Sequence, residues 1–518
     1  MSIRRSLSLL ILFSAALAVA VVAAFGSGSA SAGAEARAKG AGAVPASAIA
    51  YASINADRQG AAWQALEQLA GRVPGGAQAV KQLNAMLADG SQQGGVITAL
   101  GGDISVGLLG VELAGGGQPS ADAVLVATAA DGPALTQGLE DMGFVAAPAL
   151  DGQPTWEQGA YSATIDGGTA IVATSRATLR SAIEAQNGSA ASLADDASFK
   201  TTLSRLPDDP LAVAYISPAR LTGLAQAAAA LLPAGRTAGS KAGDGPDPTQ
   251  MIATLVKQLA GIRGLGLAVR AEDGGLRLAA AGDVDQATFD AIGAAQPKAY
   301  APTLAERVPE NALGFAAFRD LGPALLAVLD QAVQQSPQLN DQIASLEAAT
   351  GLSLRNDLVP ALTGEHALVL LPGSQPSGAL LLAPADAAQA ASALATAKRF
   401  GQTLVADQQP QVGKALAQLA ITMQSGGSVV AVGNAPELAA APAAPITAAS
   451  SYRSTIARAG VPGTVTAFGY VDVAALLAQA RAQGADPAEM KGAAVLSAVR
   501  SIVAWGTTSG ASAFVAIG

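Results

Sequence analysis

Cysteine is absent from this chain of 518 residues, and histidine occurs once. Without cysteine the protein has no disulfide, no catalytic thiolate, no thiolate metal site and no lipid-modified cysteine at its N-terminus. A single histidine is also too few for a zinc site built on histidines, or for a Ser-His-Asp triad in each half of the chain. Packing of a hydrophobic core must therefore hold the fold together.

Charged and aromatic residues are scarce as well. Charged residues make up 13% of the chain, the net charge is -9, and half of the residues are apolar. An acidic surface repels a phosphate backbone, so we expect no nucleic-acid partner. Aromatic residues are 4%, and Trp63, Trp156 and Trp505 are far apart in sequence, so no platform for sugar stacking is visible.

The N-terminus has the features of an export signal. Arg4 and Arg5 precede an uncharged apolar run from Leu7 to Phe25. This run of about 19 residues would span about 28 Å as a helix, close to the thickness of a bilayer core. Ala30-Ser31-Ala32 offers a cleavage site. Residues 1–32 are thus predicted to be a signal peptide or a single transmembrane anchor.

The charge placement also predicts where the rest of the protein works. Because positive residues stay in the cytoplasm, the remainder of the chain is expected to be extracytoplasmic. It would be anchored to the cytoplasmic membrane through residues 7–25, or secreted if cleavage occurs after Ala32.

One sequence motif recurs four times, beginning at Pro45, Pro207, Pro309 and Pro462. Each copy has a proline, a short apolar segment with an aromatic residue, a polar residue that can cap a helix, and then helical apolar spacing. The aromatic residues are Tyr51, Tyr215, Phe315 and Phe468. The expected caps are Asn55, Ser217, Asp320 and Asp472. We interpret each copy as a strand, a cap and a helix.

The spacing of the copies predicts a tandem duplication. The first copy matches the third, and the second matches the fourth, each about 260 residues later. The sequences between the copies also correspond: "YSATIDGGTAIVATS" and "AITMQSGGSVVAVGN" both predict a hairpin with a Gly-Gly turn. Strands joined by tight turns favour an antiparallel sheet with helices on one face.

The predicted architecture is therefore α+β, with two homologous domains in tandem. A linker over 33–43 leads to a first domain over 44–293, and a linker over 294–302 leads to a second over 303–518. The N-terminal apolar segment, the opening "VPASAIAYASIN" and the later "SFKTTLSRLPDDPLAVAYIS" resemble the bacterial domain-of-unknown-function family 3352. That resemblance implies no activity, cofactor or catalytic residue.

Three polar residues are the candidate sites, and each has a structural interpretation. His366 aligns with Ile104 of the first half, which predicts an edge or surface position in a strand. Asp103 and Glu365 follow Gly102 and Gly364 at matching places, where a carboxylate can accept hydrogen bonds from the backbone N–H groups of a turn. We therefore predict no catalytic, cofactor-binding or metal-ligating residue.

The favoured function is a non-enzymatic, extracytoplasmic binding or interaction module of the cell envelope. Its partner would be an envelope protein, a cell-wall component or a lipid. The alternative is a carrier that holds a lipid or other apolar ligand in a cavity enclosed by the sheet. A less favoured third hypothesis, a hydrolase, requires two carboxylates that face each other across a cleft.

Overall fold

The structure is a computed structural model that describes residues 38–57, 59–88, 100–112, 120–129, 131–221, 261–285, 298–373, 377–408, 422–484 and 493–518. The predicted signal or anchor segment, residues 1–32, lies outside the described residues. In the described part, no helix has the length and apolarity needed to cross a membrane. The chain divides into two compact units, here called the N-terminal unit (27–288) and the C-terminal unit (from 289).

The N-terminal unit is an antiparallel sheet with short helices. Its strands are β1 (Ala50–Asn55), β2 (Leu100–Glu112), β3 (Ser120–Ala129), β4 (Val145–Leu150), β5 (Gln153–Gln158), β6 (Tyr161–Asp166), β7 (Thr169–Ala173), β8 (Ala212–Ile216), β9 (Ile262–Glu272) and β10 (Gly275–Val284). Its helices are α1 (Ala61–Arg72), α2 (Gly76–Ala88), α3 (Gly132–Asp141), α4 (Arg176–Gln186) and α5 (Ala197–Leu203). The strands pair in the order β4-β5-β6-β7-β3-β2-β1-β8-β9-β10.

The C-terminal unit repeats this arrangement with fewer strands. Its strands are β11 (Gly314–Arg319), β12 (Glu365–Leu371), β13 (Ser377–Ala383), β14 (Thr422–Gly426), β15 (Val429–Gly433), β16 (Ala467–Asp472), β17 (Val499–Thr507) and β18 (Gly510–Ile517). Its helices are α6 (Leu321–Gln335), α7 (Gln338–Thr350), α8 (Val359–Ala361), α9 (Ala387–Gln408), α10 (Ser450–Ala459), α11 (Val473–Ala482) and α12 (Ala493–Ala498). The strands pair antiparallel in the order β14-β15-β13-β12-β11-β16-β17-β18. The α+β prediction is confirmed.

The four copies of the repeated sequence motif form the strands at the middle of the sheets. The first two copies form β1 and β8, which pair with each other and place Tyr51 opposite Tyr215. The last two form β11 and β16, which place Phe315 opposite Tyr470. Phe199 of α5 makes edge-to-face contacts with both Tyr51 and Tyr215, with centroids 5.4 and 5.0 Å away. These aromatic rings fill the inner face of the N-terminal sheet.

The predicted caps have mixed outcomes. Asp472 caps α11, because its carboxylate accepts a hydrogen bond from the N–H of Ala475 at 2.8 Å. Asn55 does not cap a helix: α1 begins later, after Gly60, and the Asn55 side chain instead accepts from the N–H of Asp57. Asp320 precedes α6 but accepts from the N–H of Gly364 on the neighbouring strand connection. Sequence spacing located these turns but not the partner of each side chain.

One further expectation, that helices cover one face of the sheet, is corrected by the packing. In the C-terminal unit helices cover both faces of the sheet rather than one, because the neighbouring residues Leu381 and Leu382 point into different cores. The predicted linkers, 33–43 and 294–302, are only partly described, and some of their described residues are buried. Lys39–Ala43 forms a 3-10 helix with buried alanines, and Tyr300 is buried and bridges to Val465. Small residues in such segments permit close backbone packing.

Candidate functional site

Glu365 holds the entry segment of the C-terminal unit. It is 7% exposed, and its carboxylate accepts hydrogen bonds from the N–H groups of Thr303 and Leu304 at 3.0 and 2.9 Å and from the Thr303 hydroxyl. These N–H groups begin the 3-10 helix Leu304–Arg307. The predicted capping role is confirmed, but the capped turn lies about 60 residues earlier in the chain.

Asp103 occupies the same place in the N-terminal unit. It pairs in register with Asn55 at the end of β1, as Glu365 pairs with Arg319 at the end of β11. It is 7% exposed and lies with Lys39–Ala43 around a small cavity of about 160 Å³. Each of the two carboxylates therefore lies beside the 3-10 helix that precedes the first strand of its own unit.

His366 is not at an edge or surface, so that prediction is wrong. It is fully buried in β12, which is paired on both sides by β11 and β13. Nε2–H donates to the carbonyl of Leu362 at 2.9 Å, and Nδ1 has no hydrogen-bond partner among the described residues. Burial lowers the pKa of the imidazole, which favours the neutral form. Within the described ranges no group of three or more acidic or histidine side chains could hold a metal ion.

The N-terminal unit contains a groove with a volume of about 800 Å³. We call it the α4 groove. One wall is α4, and the others are the loop after the first 3-10 helix, the start of β3 and the residues just beyond α4. Its apolar lining is mostly alanine. Its polar lining consists of Ser47, Asp122, Thr174, Ser175, Thr178, Ser181 and Glu184. This size is typical of sites for small molecules and short peptides.

Asp122 ties the start of β3 to the first turn of α4. Oδ1 accepts hydrogen bonds from the hydroxyls of Thr174, at 3.1 Å, and Thr178. The hydroxyls of Ser175 and Thr178 lie 2.7 Å apart, and Ser175 caps the helix by accepting from the N–H of Thr178. One end of the groove is thus preorganised by a connected set of hydrogen bonds.

Helix α4 separates its residues onto three sides. Ala177, Ser181 and Glu184 line the groove with the i, i+4, i+7 spacing of one helix face, and Thr178 lines it from the adjoining side of the helix. Leu179, Ala182 and Ile183 are buried in the main core. Arg176 and Arg180 form ion pairs with Glu157 at 2.5 Å and Asp151 at 3.9 Å. The apolar side orients the helix, and this leaves a polar stripe in the groove.

The C-terminal unit differs from the N-terminal unit at the position that corresponds to α4. In the C-terminal unit Asn434 takes the place of Thr174, since it bonds Gly378 through both its backbone N–H and its side chain. After Asn434 the chain forms the short 3-10 helix Pro436–Ala439 instead of an 11-residue helix. Sequence reasoning missed the groove. The only local signal for it was the Ser175 cap before "RATLRSAIEAQ".

A second surface feature is an apolar outer face on the N-terminal sheet. Cross-strand register sets apolar residues side by side on neighbouring strands, as in the row Ile104, Ile54, Ala212, Val269 and Leu278. Five large side chains on this face are 38–56% exposed: Ile54, Val106, Ile216, Leu267 and Leu278. Exposed apolar patches of this kind commonly mark interaction surfaces.

Comparison with known proteins adds no established activity. No curated protein matches the sequence. Among solved structures, crystal form IV of TP0453 has a TM-score of 0.22 and 10% identity, covering 46% of this chain and 79% of that chain. Crystal forms III and I also have TM-scores of 0.22, at 9% and 8% identity, covering 50% and 51% of this chain and 88% and 86% of theirs. Similarity at this level transfers no property.

The family comparison is more informative. Residues 147–503 match the family described as "Protein of unknown function (DUF3352)". The match covers more than half of the chain and includes parts of both units, in agreement with the resemblance found in the sequence. The chain belongs to the DUF3352 family.

Proposed function

We propose that this protein is a non-enzymatic binding module whose ligand site is the α4 groove. The observation that carries the proposal is the groove itself, which has about 800 Å³ of space beside a preorganised set of hydroxyl and carboxylate groups. A binding site needs such a concave surface with a few well-placed polar groups.

The lining supports binding rather than catalysis. Serine and threonine need a neighbouring base to act as nucleophiles, and the groove lining has no histidine, lysine or tyrosine. The Thr174 and Thr178 hydroxyls donate to Asp122, a bond that fixes α4 to the sheet. Glu365 is occupied by the entry turn of the C-terminal unit, which weakens the hydrolase hypothesis based on Asp103 and Glu365.

Filling the groove tests this proposal. Ser181→Trp places a bulky ring in the groove, whereas Arg180→Trp places it on the neighbouring side of α4, outside the groove. Ligand-observed NMR with a fragment library should detect compounds that bind the wild-type protein and the Arg180→Trp control but not Ser181→Trp. If no compound depends on Ser181, the groove is not a binding site.

We further propose that the module works outside the cytoplasm, carried there by residues 1–32. The support is Arg4 and Arg5 before the apolar run Leu7–Phe25. Fusion of alkaline phosphatase after Gly518 should give an active enzyme in a bacterial host, since that reporter needs export. Replacing Leu10 and Leu17 with aspartate, or moving the arginines behind the run, should abolish the signal. Activity that survives both changes would contradict export by this segment.

The internal duplication is also a proposal, and matched hydrogen bonds support it. Pro45 bridges Ser192 as Pro309 bridges Pro445. The N–H of Leu193 donates to Val44 at 2.7 Å, and that of Ile446 donates to Val308 at the same distance. We propose that the two units descend from one α+β domain, and that the additional hairpin β4-β5 was gained or lost in one copy. Family sequences aligned on these positions should be more alike between the units than shuffled controls.

A second candidate function is contact with lipid acyl chains, and the apolar outer face favours it. The inner face of the N-terminal sheet is filled by Tyr51, Tyr215 and Phe199, so the cavity expected from the sequence would not lie there. The row through Ile54 on the outer face carries no hydrogen-bonding side chain, and its backbone groups lie within paired strands. An acyl chain needs only such apolar contact.

The lipid hypothesis has its own test. The full chain would be purified from a bacterial envelope without detergent and extracted with organic solvent for mass spectrometry. A lipid present in stoichiometric amount in the wild type, and lost in Leu267→Gln, would support it. An equal yield from both proteins would count against the outer face.

A further inference from the structure

We infer that the α4 groove selects a small ligand with two ammonium groups joined by an aliphatic spacer. The inference rests on the proposed binding function of this groove and adds the chemical class of its ligand. Polyamines and short lysine-rich peptides share this chemistry. The starting observation is that the groove lining contains two carboxylates and several hydroxyls but no cationic side chain.

Asp122 presents a free acceptor at one end of the groove. Both hydroxyl hydrogen bonds to this side chain end on Oδ1. Oδ2 has no hydrogen-bond partner among the described residues. A carboxylate held by two hydroxyls but not by a cation keeps its charge available to a ligand.

Glu184 lies at the other end and in an unfavourable place for an acid. It is in the last turn of α4, and that turn contains no basic residue. The C-terminal end of a helix carries partial negative charge, which destabilises a carboxylate there. Within the described part of the chain, no ion pair or side-chain hydrogen bond compensates Glu184. A cationic ligand would relieve this repulsion.

The arginines of α4 do not supply the missing charge. Arg180 lies one turn before Glu184, but neither it nor Arg176 is part of the groove lining, and the two are paired with Asp151 and Glu157. The groove lining itself therefore has two carboxylates and no cation, even though the helix carries two arginines.

The separation of the two carboxylates indicates the length of the ligand. Asp122 is bonded to Thr178, and Glu184, six residues later on α4, also lines the groove. Six residues advance about 9 Å along a helix. Between them the wall is formed by the small side chains of Ala177 and Ser181, which leave room for methylene groups.

Calorimetric titration with two probes tests the inference. The probes are spermidine and the amidated peptide Lys-Ala-Lys, each compared with its fully acetylated form. The proteins are the full-length wild type, Asp122→Asn, Glu184→Gln and the control Glu140→Gln. Glu140 is an exposed carboxylate in the last turn of α3, outside the groove, so it matches Glu184 in helix position.

We expect at least one probe to bind, with affinity that falls as salt is raised and is lost on acetylation. Asp122→Asn and Glu184→Gln should each weaken binding about tenfold, as expected for loss of one charge-assisted contact, and Glu140→Gln should leave it unchanged. The probe that binds more tightly identifies the source of the ammonium groups as polyamine or peptide.

Two results would overturn the inference, and they separate it from the proposed function. In the first, neutral fragments bind in a way that depends on Ser181, while the two probes either do not bind or bind Asp122→Asn and Glu184→Gln as tightly as the wild type. The groove is then a binding site for a different class of ligand. If neither the probes nor any fragment shows dependence on Ser181, both the inference and the proposed function are wrong.

Discussion

Whether an individual side chain is buried cannot be read from the residues next to it in sequence, and His366 is an example. His366 aligns with an isoleucine in the first half, and that substitution suits a buried position as well as an exposed one. The structure places its ring 5.6 Å from that of Phe318 in a strand paired on both sides. Whether a strand is central or at an edge depends on which strands pair with it, and local sequence does not report that.

His366 should make the stability of the protein depend on pH. Burial lowers the pKa of His366 in the folded state, so the unfolded state binds the proton more readily. Its contribution is fully present above the unfolded pKa of about 6.5 and is lost as the pH falls below that value, by at most about 1.4 kcal/mol per pH unit. The nearby Asp320 favours the charged form and Arg319 opposes it.

Urea denaturation at pH 7.5 and 5.5 measures this effect. Because His366 is the only histidine in the chain, the loss of stability between these pH values should be much smaller in His366→Leu. Equal losses in both proteins would show that the imidazole is not the titrating group.

Gly40 and Gly42 form a matched pair for testing the close packing of the first 3-10 helix. A Cβ at Gly40 would lie 2.4 Å from Oγ of Ser105, whereas a Cβ at Gly42 would meet nothing within 4 Å. We expect Gly40→Ala to destabilise the protein by about 1–3 kcal/mol and Gly42→Ala to have little effect. Chemical denaturation of the two variants checks this, and equal effects would mean that this segment is not packed against β2.

At the scale of elements, hairpins are the most predictable part of the fold. The turn at Gly167-Gly168 joins β6 to β7, and both glycines have positive φ, as a tight hairpin turn requires. Helix α4 was less predictable. Its cap is visible in the sequence, but its groove exists only because Asp122 of β3 bonds the first turn.

Replacing Glu184 should change the stability of the protein and its ligand affinity in opposite directions. Glu184→Gln removes a negative charge from the C-terminal end of the helix and should raise the free energy of unfolding by about 0.3–1 kcal/mol. The same change should weaken ligand binding. Thermal or urea denaturation without ligand measures the first effect. A decrease in stability would mean that Glu184 has a stabilising partner and is not held for a ligand.

At the scale of the whole molecule, the two units share one pattern of strand pairing. Phe199 packs on Tyr51 and Tyr215, and Tyr452 lies 5.0 Å from Tyr470 and 6.3 Å from Phe468. The sequence predicted this equivalence by aligning "SFKTTL" with "SYRSTI". In both units one aromatic residue on a short helix covers the central strand pair.

The equivalence predicts which exchanges the core tolerates. Tyr452→Phe and Phe199→Tyr each transfer the side chain of one unit to the other, and we expect each to cost less than about 1.5 kcal/mol. Phe199→Ala should cost about 3–5 kcal/mol, because it empties a fully packed position. Denaturation curves test these values. A cost for Phe199→Tyr as large as for Phe199→Ala would show that the two positions are not equivalent.

The sequence by itself determined the strand-forming motifs, the hairpin turns, the α+β class and the absence of thiol chemistry, because these depend on residue type and on spacing along a few residues. Tertiary structure alone decided that His366 is buried, that Glu365 caps a turn about 60 residues away, and that Asp122 and Glu184 line one groove. Those relations join side chains that are distant along the chain, so they arise only when strands pair and helices pack on them.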